Sequence, residues 1–470
     1  MVSPRSKARS AAITQGDIGE QLVRLTLPMM LALLSIMGLG IVDSYFISFL
    51  GTAELAAIGF SMPVTSVVTS IALGLGMAIS SLTSRLMGED RGEHAARLIT
   101  DGFLLTLGVA ITVITLLFFT QAEIFRALGA RPETVPLIQE YMQVWLIGVP
   151  FIMLTTVCSS TFRAIGDTSS AAQIAIMMTL TNIVLDPLFI FGLGPIPAFG
   201  IAGAAAATVC AVLIAFTFAS YRLGVVERLL VFSQIQLAEF KQHLKSLTDI
   251  AIPAVLANSI VPLIATALTA IVATLGTDAV AGFGVVARVE AMSLMTVYAL
   301  SSTLPMFIGQ NLGAKKLDRI SAAVGLAFRF VFILQTSLAV LLYFTGPFIA
   351  SIFTDEPEVA KVIVLFLAIV PFSHGLAGNT ILINVAMNVL GKPRWALYIN
   401  LARLLILTVP LAYIGLQIGE LEGLLIGILL GNILAFVIAK RLFDKVLALH
   451  NVPKVGLIKG TSAHLPEAIK

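Results

Sequence analysis

A chain of 470 residues that is 58% hydrophobic and only 12% charged lies far from soluble globular proteins, whose charged fraction is about 25%. With a mean hydropathy of +0.99 it reads as a polytopic membrane protein, with room for about a dozen spans of about 20 residues each. The balance of 29 Lys and Arg against 26 Asp and Glu excludes a polybasic nucleic-acid binder, and Cys158 and Cys210, both inside apolar runs, exclude a disulfide framework or thiolate metal site.

Residues 1–21 are a polar tail without the apolar core of a signal peptide. Apolar runs follow at 22–49, 55–86, 98–121, 134–160, 170–193 and 200–222. A second set lies at 248–274, 279–311, 320–344, 359–389, 395–417 and 423–446. Twelve helices are therefore predicted, the second and eighth long enough to protrude from the lipid. Prolines inside them, including Pro28, Pro253 and Pro371, are tolerated in membrane helices as kinks. The polar stretch 223–247 is an amphipathic linker between an N-terminal lobe (22–222) and a C-terminal lobe (248–446), and residues 447–470 form a second tail.

Basic residues accumulate on the cytoplasmic side of membrane proteins. Of the 29, only Arg126, Arg131 and Lys361 fall on one side, and Arg288, Arg329 and Arg403 fall within or near spans. The rest share the side of both tails and the linker, so both termini are expected in the cytoplasm. The halves also match each other at a shift of 225 residues: Pro28 with Pro253, Leu50-Gly51-Thr52 with Leu275-Gly276-Thr277, Pro132-Glu133 with Pro357-Glu358, and Gly166 with Gly391. Two six-helix repeats have the same orientation, because an even number of crossings returns the chain to its starting side. The expected fold is thus all-α, two six-helix bundles related by a pseudo-twofold axis along the membrane normal, with a cavity between them.

A charged side chain at mid-membrane costs at least about 2.5 to 3.5 kcal/mol, so its presence marks function. The deep acids are Asp43 in the first span, Asp186 in the fifth and Glu290 in the eighth. Asn182 stands four residues before Asp186, on the same helix face. Thr208 in the sixth span supplies a further neutral oxygen. At the repeat register Asp43 corresponds to Leu268, so the coupling chemistry belongs to the first half. Two neighbouring carboxylates bind protons; together with amide and hydroxyl oxygens they suit a sodium ion instead. For each of these residues the plain alternative is a bond to a neighbouring backbone. Glu290 is expected to bond a neighbouring helix, with a second-half coupling site as the rival reading, and His374 is expected to be a hydrogen-bonded structural histidine. Met178, one turn before Asn182, is assigned to the substrate cavity with Ile36, Leu39 and Gly40. Pro28, about four turns before Asp43, is the candidate hinge.

At these residues the chain resembles the multidrug and toxic compound extrusion (MATE) transporters. VDSYFISFLGTAELAAIGFSMP (42–63), FRAIGDT (162–168) and NIVLDPLFIFG (182–192) carry the resemblance, which extends over nearly the whole chain. The acids of the first half resemble the DinF-like branch, in which equivalents of Asp43, Asn182, Asp186 and Thr208 line a cation site. The second half departs from the branch that uses carboxylates in its seventh and tenth spans. The resemblance implies a secondary antiporter of the plasma (inner) membrane that exports lipophilic, often cationic drugs. Exchange for protons is favoured over sodium, because two acids suffice for protons whereas sodium needs a full oxygen shell. No cofactor, enzyme activity or nucleic-acid partner is expected; the partners are drug-like small molecules and membrane lipids, and the working unit is a monomer. Two other readings are weaker. A lipid-linked precursor flippase calls for several basic residues facing a pyrophosphate, and only Arg288, Arg329 and Arg403 qualify. An intramembrane protease would rest on Ser61 with His374, and no HExxH or GxSxG accompanies them.

Overall fold

The computed structural model describes residues 3–232 and 236–456. Among these the chain is built of helices, with one isolated bridge between Leu193 and Ile196. In lipid the backbone satisfies its own hydrogen bonds, and a helix does so within one segment. A short helix α1 (Pro4–Gln15) precedes α2 (Ile18–Ser48), α3 (Thr52–Gly88), α4 (Gly92–Ala127), α5 (Val135–Ala164), α6 (Thr168–Phe191) and α7 (Gly200–Tyr221). A single π turn, Arg222–Val226, extends α7. Then come α8 (Leu237–Ala273), α9 (Thr277–Ser293), α10 (Met295–Gly313), α11 (Leu317–Phe353), α12 (Pro357–Ile369), α13 (His374–Val389), α14 (Pro393–Leu405) and α15 (Thr408–Leu449).

Among the described residues ten helical runs are long and apolar enough to cross a membrane, and the pair α9 and α10, bent by 44° at Leu294, makes an eleventh. The twelfth is hidden in the run Pro393–Leu449, which doubles back. Gly419 and Glu420 leave helical geometry, Glu420 with a φ of 46°. On either side the two arms touch backbone to backbone: a Cβ on Gly415 would strike the Gly423 carbonyl, one on Gly427 the Leu411 carbonyl, and one on Gly431 the backbone of Thr408. This glycine seam closes α15 into an antiparallel hairpin, the close approach of small residues that drives helix association in lipid.

The eighth span is thus not one long helix, as the sequence suggested. At its break at Leu294 the Gln335 amide donates to the Ser293 carbonyl at 2.9 Å, satisfying an acceptor that the interruption frees. The tenth span is also interrupted, by a 3₁₀ turn at Val370–Ser373 around Pro371. The eleventh breaks at Ile406 and Leu407. In the first half the matching helices α3, α5 and α6 run without interruption.

The chain divides into two compact units. One comprises the chain up to Gln15 and Arg24–Val255, the other Gly16–Val23 and the chain from Leu256 onward. Two of the divisions fall inside α2 and α8, beside Pro28 and Pro253. The repeat is written in the backbone as well: left-handed φ values recur at the 225 shift, at Gly51 (143°) and Gly276 (110°), Asp90 (57°) and Lys315 (57°), and Gly166 (82°) and Gly391 (71°). Within the first unit α3 packs against α5, and α7 against α5 and α6. Within the second, α13 packs against α10, α11 and α15.

Candidate functional site

The polar residues of the first unit converge from α2, α6 and α7. Asp186 and Asn182 are buried on one face of α6. The amide orientation that satisfies both neighbours has Asn182 Nδ2 donating to Asp186 Oδ2 at 2.9 Å, while its Oδ1 accepts from the Thr208 hydroxyl at 3.2 Å and the Thr208 N–H at 3.1 Å. The Thr208 hydroxyl also lies 3.2 Å from the Ala204 carbonyl. One oxygen of each acid, Oδ1 of Asp43 and Oδ1 of Asp186, is buried without a hydrogen-bond partner among the described residues.

Asp43 faces the same place. One turn after Asp43 and Asp186 stand Ile47 and Ile190, one turn before Thr208 stands Ala204, and these three pack into one buried apolar cluster. Phe46 of α2 and Phe49, just past its end, lie edge-on to Phe191 at the end of α6, each pair 6.3 Å apart. Apolar side chains thus seal one end of the acidic site and fix α2 against α6. Asp43 and Asp186 are within electrostatic reach of one another and of Tyr141 on α5. Tyr141 escaped the sequence reading, because a tyrosine two turns into a span is ordinary; at the repeat shift it corresponds to Phe366. In the second unit Phe366 and Leu268 belong to an apolar core around Val272, Ile363 and Leu425. The second half therefore fills with hydrocarbon the place where the first keeps its acids.

Met178 is half-buried on α6, and of the α2 residues Ile36 and Gly40 are exposed and Leu39 half-buried. Pro28 lies inside the continuous helix α2. Ser61 belongs to the first unit and donates to the Ala57 carbonyl at 3.0 Å, whereas His374 belongs to the second. Among the described residues no group of three His, Cys, Asp or Glu side chains could hold a metal ion.

His374 differs from expectation. It is buried, yet neither ring nitrogen makes a hydrogen bond among the described residues; Nε2 instead lies 3.3 Å from Glu290 Oε1. Glu290 does meet a neighbouring helix, and Arg288 turns away to donate to the Gly284 carbonyl at 3.2 Å.

Buried acids held between apolar spans are the kind of site that ion-coupled membrane transporters carry. The MatE family profile matches residues 28–188 and 253–414, the two repeats. The FAD transporter of Shewanella oneidensis is 36% identical over 440 residues, covering 93% of this chain and 97% of its own. The multidrug export protein MepA of Staphylococcus aureus is 25% identical over 449 residues, covering 92% and 96%. Among solved structures, a mutant of the Vibrio cholerae MATE transporter VcmN superposes with a TM-score of 0.88 at 32% identity, covering 95% of this chain and 99% of that one. The same transporter in a form described as bent gives 0.87. The chain belongs to the MatE family of transporters.

Proposed function

We propose that this protein is a secondary antiporter that exports bulky lipophilic compounds, many of them cationic, in exchange for protons taken up at Asp43 and Asp186. The observation that carries the reading is the pair of buried, unpartnered carboxylate oxygens beside the Asn182 and Thr208 bonds. A buried carboxylate oxygen without a donor is costly, and a proton on it removes both the charge and part of the cost. Proton coupling is favoured over sodium by the Asn182 amide, whose oxygen faces Thr208 and whose nitrogen faces Asp186. That arrangement gives Asp186 a donor and keeps the amide oxygen on Thr208, whereas sodium needs oxygens. Protonation of Asp43 would relax its interaction with Asp186 and free α2 to bend at Pro28. The protein acts in the plasma (inner) membrane, with both termini cytoplasmic, and as a monomer.

The flippase reading is weakened by two of its three arginines, since Arg288 and Arg329 donate to carbonyls of their own helices, Gly284 and Gly325. The Shewanella relative favours a second substrate reading, export of a flavin nucleotide such as FAD. Efflux of a cationic dye and of FAD from proteoliposomes, under a pH gradient and under a sodium gradient imposed separately, tests both. Flux driven by the pH gradient alone is expected; flux that requires sodium overturns the proton assignment.

A further inference from the structure

Arg403, His374, Tyr298 and Glu290 form a second polar cluster, wholly within the second unit. Each sits at one of the interruptions peculiar to that half. Glu290 and Tyr298 lie one turn before and one turn after the break at Leu294, His374 opens α13 directly after the 3₁₀ turn, and Arg403 lies in the last turn of α14 before the break at Ile406. Arg403 is within electrostatic reach of both Glu290 and Tyr298. Interrupted spans are where transporters place their ligands, because backbone and side chains there are free to turn toward a solute.

The cluster is rich in donors and short of acceptors. Arg403 brings a fork of N–H groups, of which the buried Nε has no partner among the described residues. His374, only 1% exposed, makes no hydrogen bond at either ring nitrogen, so its ring N–H is a further donor without a partner. Against them stands one carboxylate, Glu290, at 3.3 Å from the imidazole. A buried donor left unpaired costs more than a made bond gains, so the group that fits carries several acceptor oxygens and negative charge. We infer that Arg403, His374 and Tyr298 are a subsite for the phosphate of an anionic substrate, with Glu290 as the resident counter-ion that the phosphate displaces. The inference rests on the flavin-nucleotide reading above and specifies where its phosphate is held.

Flavin mononucleotide and riboflavin share a ring system and differ by one phosphate, so their binding to the full chain in lipid nanodiscs, read by flavin fluorescence, isolates the subsite. The wild type is expected to bind the mononucleotide more tightly. Arg403→Gln should weaken mononucleotide binding about tenfold or more and leave riboflavin unchanged, with Arg403→Lys between the two. Glu290→Gln should act in the opposite sense and tighten mononucleotide binding, since it removes the competing anion. That opposition separates a phosphate subsite from an ion pair that merely holds helices together. The inference is overturned if the wild type does not prefer the mononucleotide, if both flavins weaken in parallel, or if Glu290→Gln weakens binding as Arg403→Gln does. Efflux of a cationic dye that persists in any of these cases leaves the antiport reading standing on its own.

Discussion

Asn182 donates to Oδ2 of Asp186 at 2.9 Å from one turn earlier on α6, while Thr208 of α7 holds the other end of the amide. The amide is thereby a fixed donor, and the oxygen of Asp186 left over is the one that has no partner. A site in which Asn182 and Thr208 are engaged while each acid keeps a buried oxygen without a partner is built to change its protonation.

Asp43→Asn and Asp186→Asn should therefore each reduce pH-driven dye efflux to the level of empty liposomes, with the amount of folded protein unchanged. A neutral amide removes titration without adding a desolvation cost. Cells carrying either variant at wild-type abundance would test it through their resistance to a toxic substrate, and full resistance would remove that residue from the coupling site.

Glu290→Gln should leave pH-driven dye efflux within about threefold of wild type, because the place matching Asp43 in its half holds Leu268 in an apolar core. Side-by-side flux measurements decide this. If Glu290→Gln abolishes the flux while Asp43→Asn retains it, the coupling site belongs to the second half.

Pro28 lacks the N–H that would close one rung of α2, and it stands on the same helix as Asp43. Spin labels on α2 and α6 should report a distance that changes between high and low pH, and the change should vanish in both Asp43→Asn and Pro28→Ala. A constant distance in protein that transports normally would exclude the bend.

Outside the spans, α1 is held by Glu227. Ser6 donates to the carboxylate at 2.6 Å, Ser3 donates to the same oxygen, and Arg9 reaches the other oxygen at 3.0 Å. Arg9 also lies 3.1 Å from Asp167. Burial alone would raise the Glu227 carboxyl, but the bonds from Ser3 and Ser6 and the Arg9 charge outweigh it and hold the group below its ordinary value of 4.5. A depressed carboxyl stabilises the docked helix fully above that ordinary value, and the contribution is lost as pH falls through the lowered one. Hydrogen-exchange protection in 4–15, taken relative to the intrinsic exchange rate at each pH, should be high at pH 7 and lost in acid, as pH falls through the lowered value. Glu227→Gln should show low protection at both, and protection equal to wild type at pH 7 would show that α1 docks by other means.

The sequence made the scaffold legible where lipid imposes strict chemistry. Twelve apolar runs, the repeat register, and the acids with Asn182 four residues upstream were all readable, because a charge or an amide in hydrocarbon has few innocent reasons to be there. The gap between the runs 395–417 and 423–446 falls where Gly419 and Glu420 turn the last hairpin. The break at Leu294 was not readable: no Gly or Pro stands there, and the amide that stabilises it comes from Gln335, a span away. Nor was the approach of His374 to Glu290, since residues on separate spans share no periodicity. Tyr141 stayed hidden because its significance lies in what it faces.

The glycine seam of α15 has a consequence for any survey of this protein by random substitution. Bulk at Gly415, Gly423 or Gly427 has no space to occupy, because the opposing atoms are main chain and cannot rotate aside. In a drug-resistance screen such variants would score as dead as those at Asp43, and survival alone would map two functional centres. Counting the protein that reaches the membrane separates them: the acid variants persist there in silence, while the seam variants are cleared before they have a solute to move.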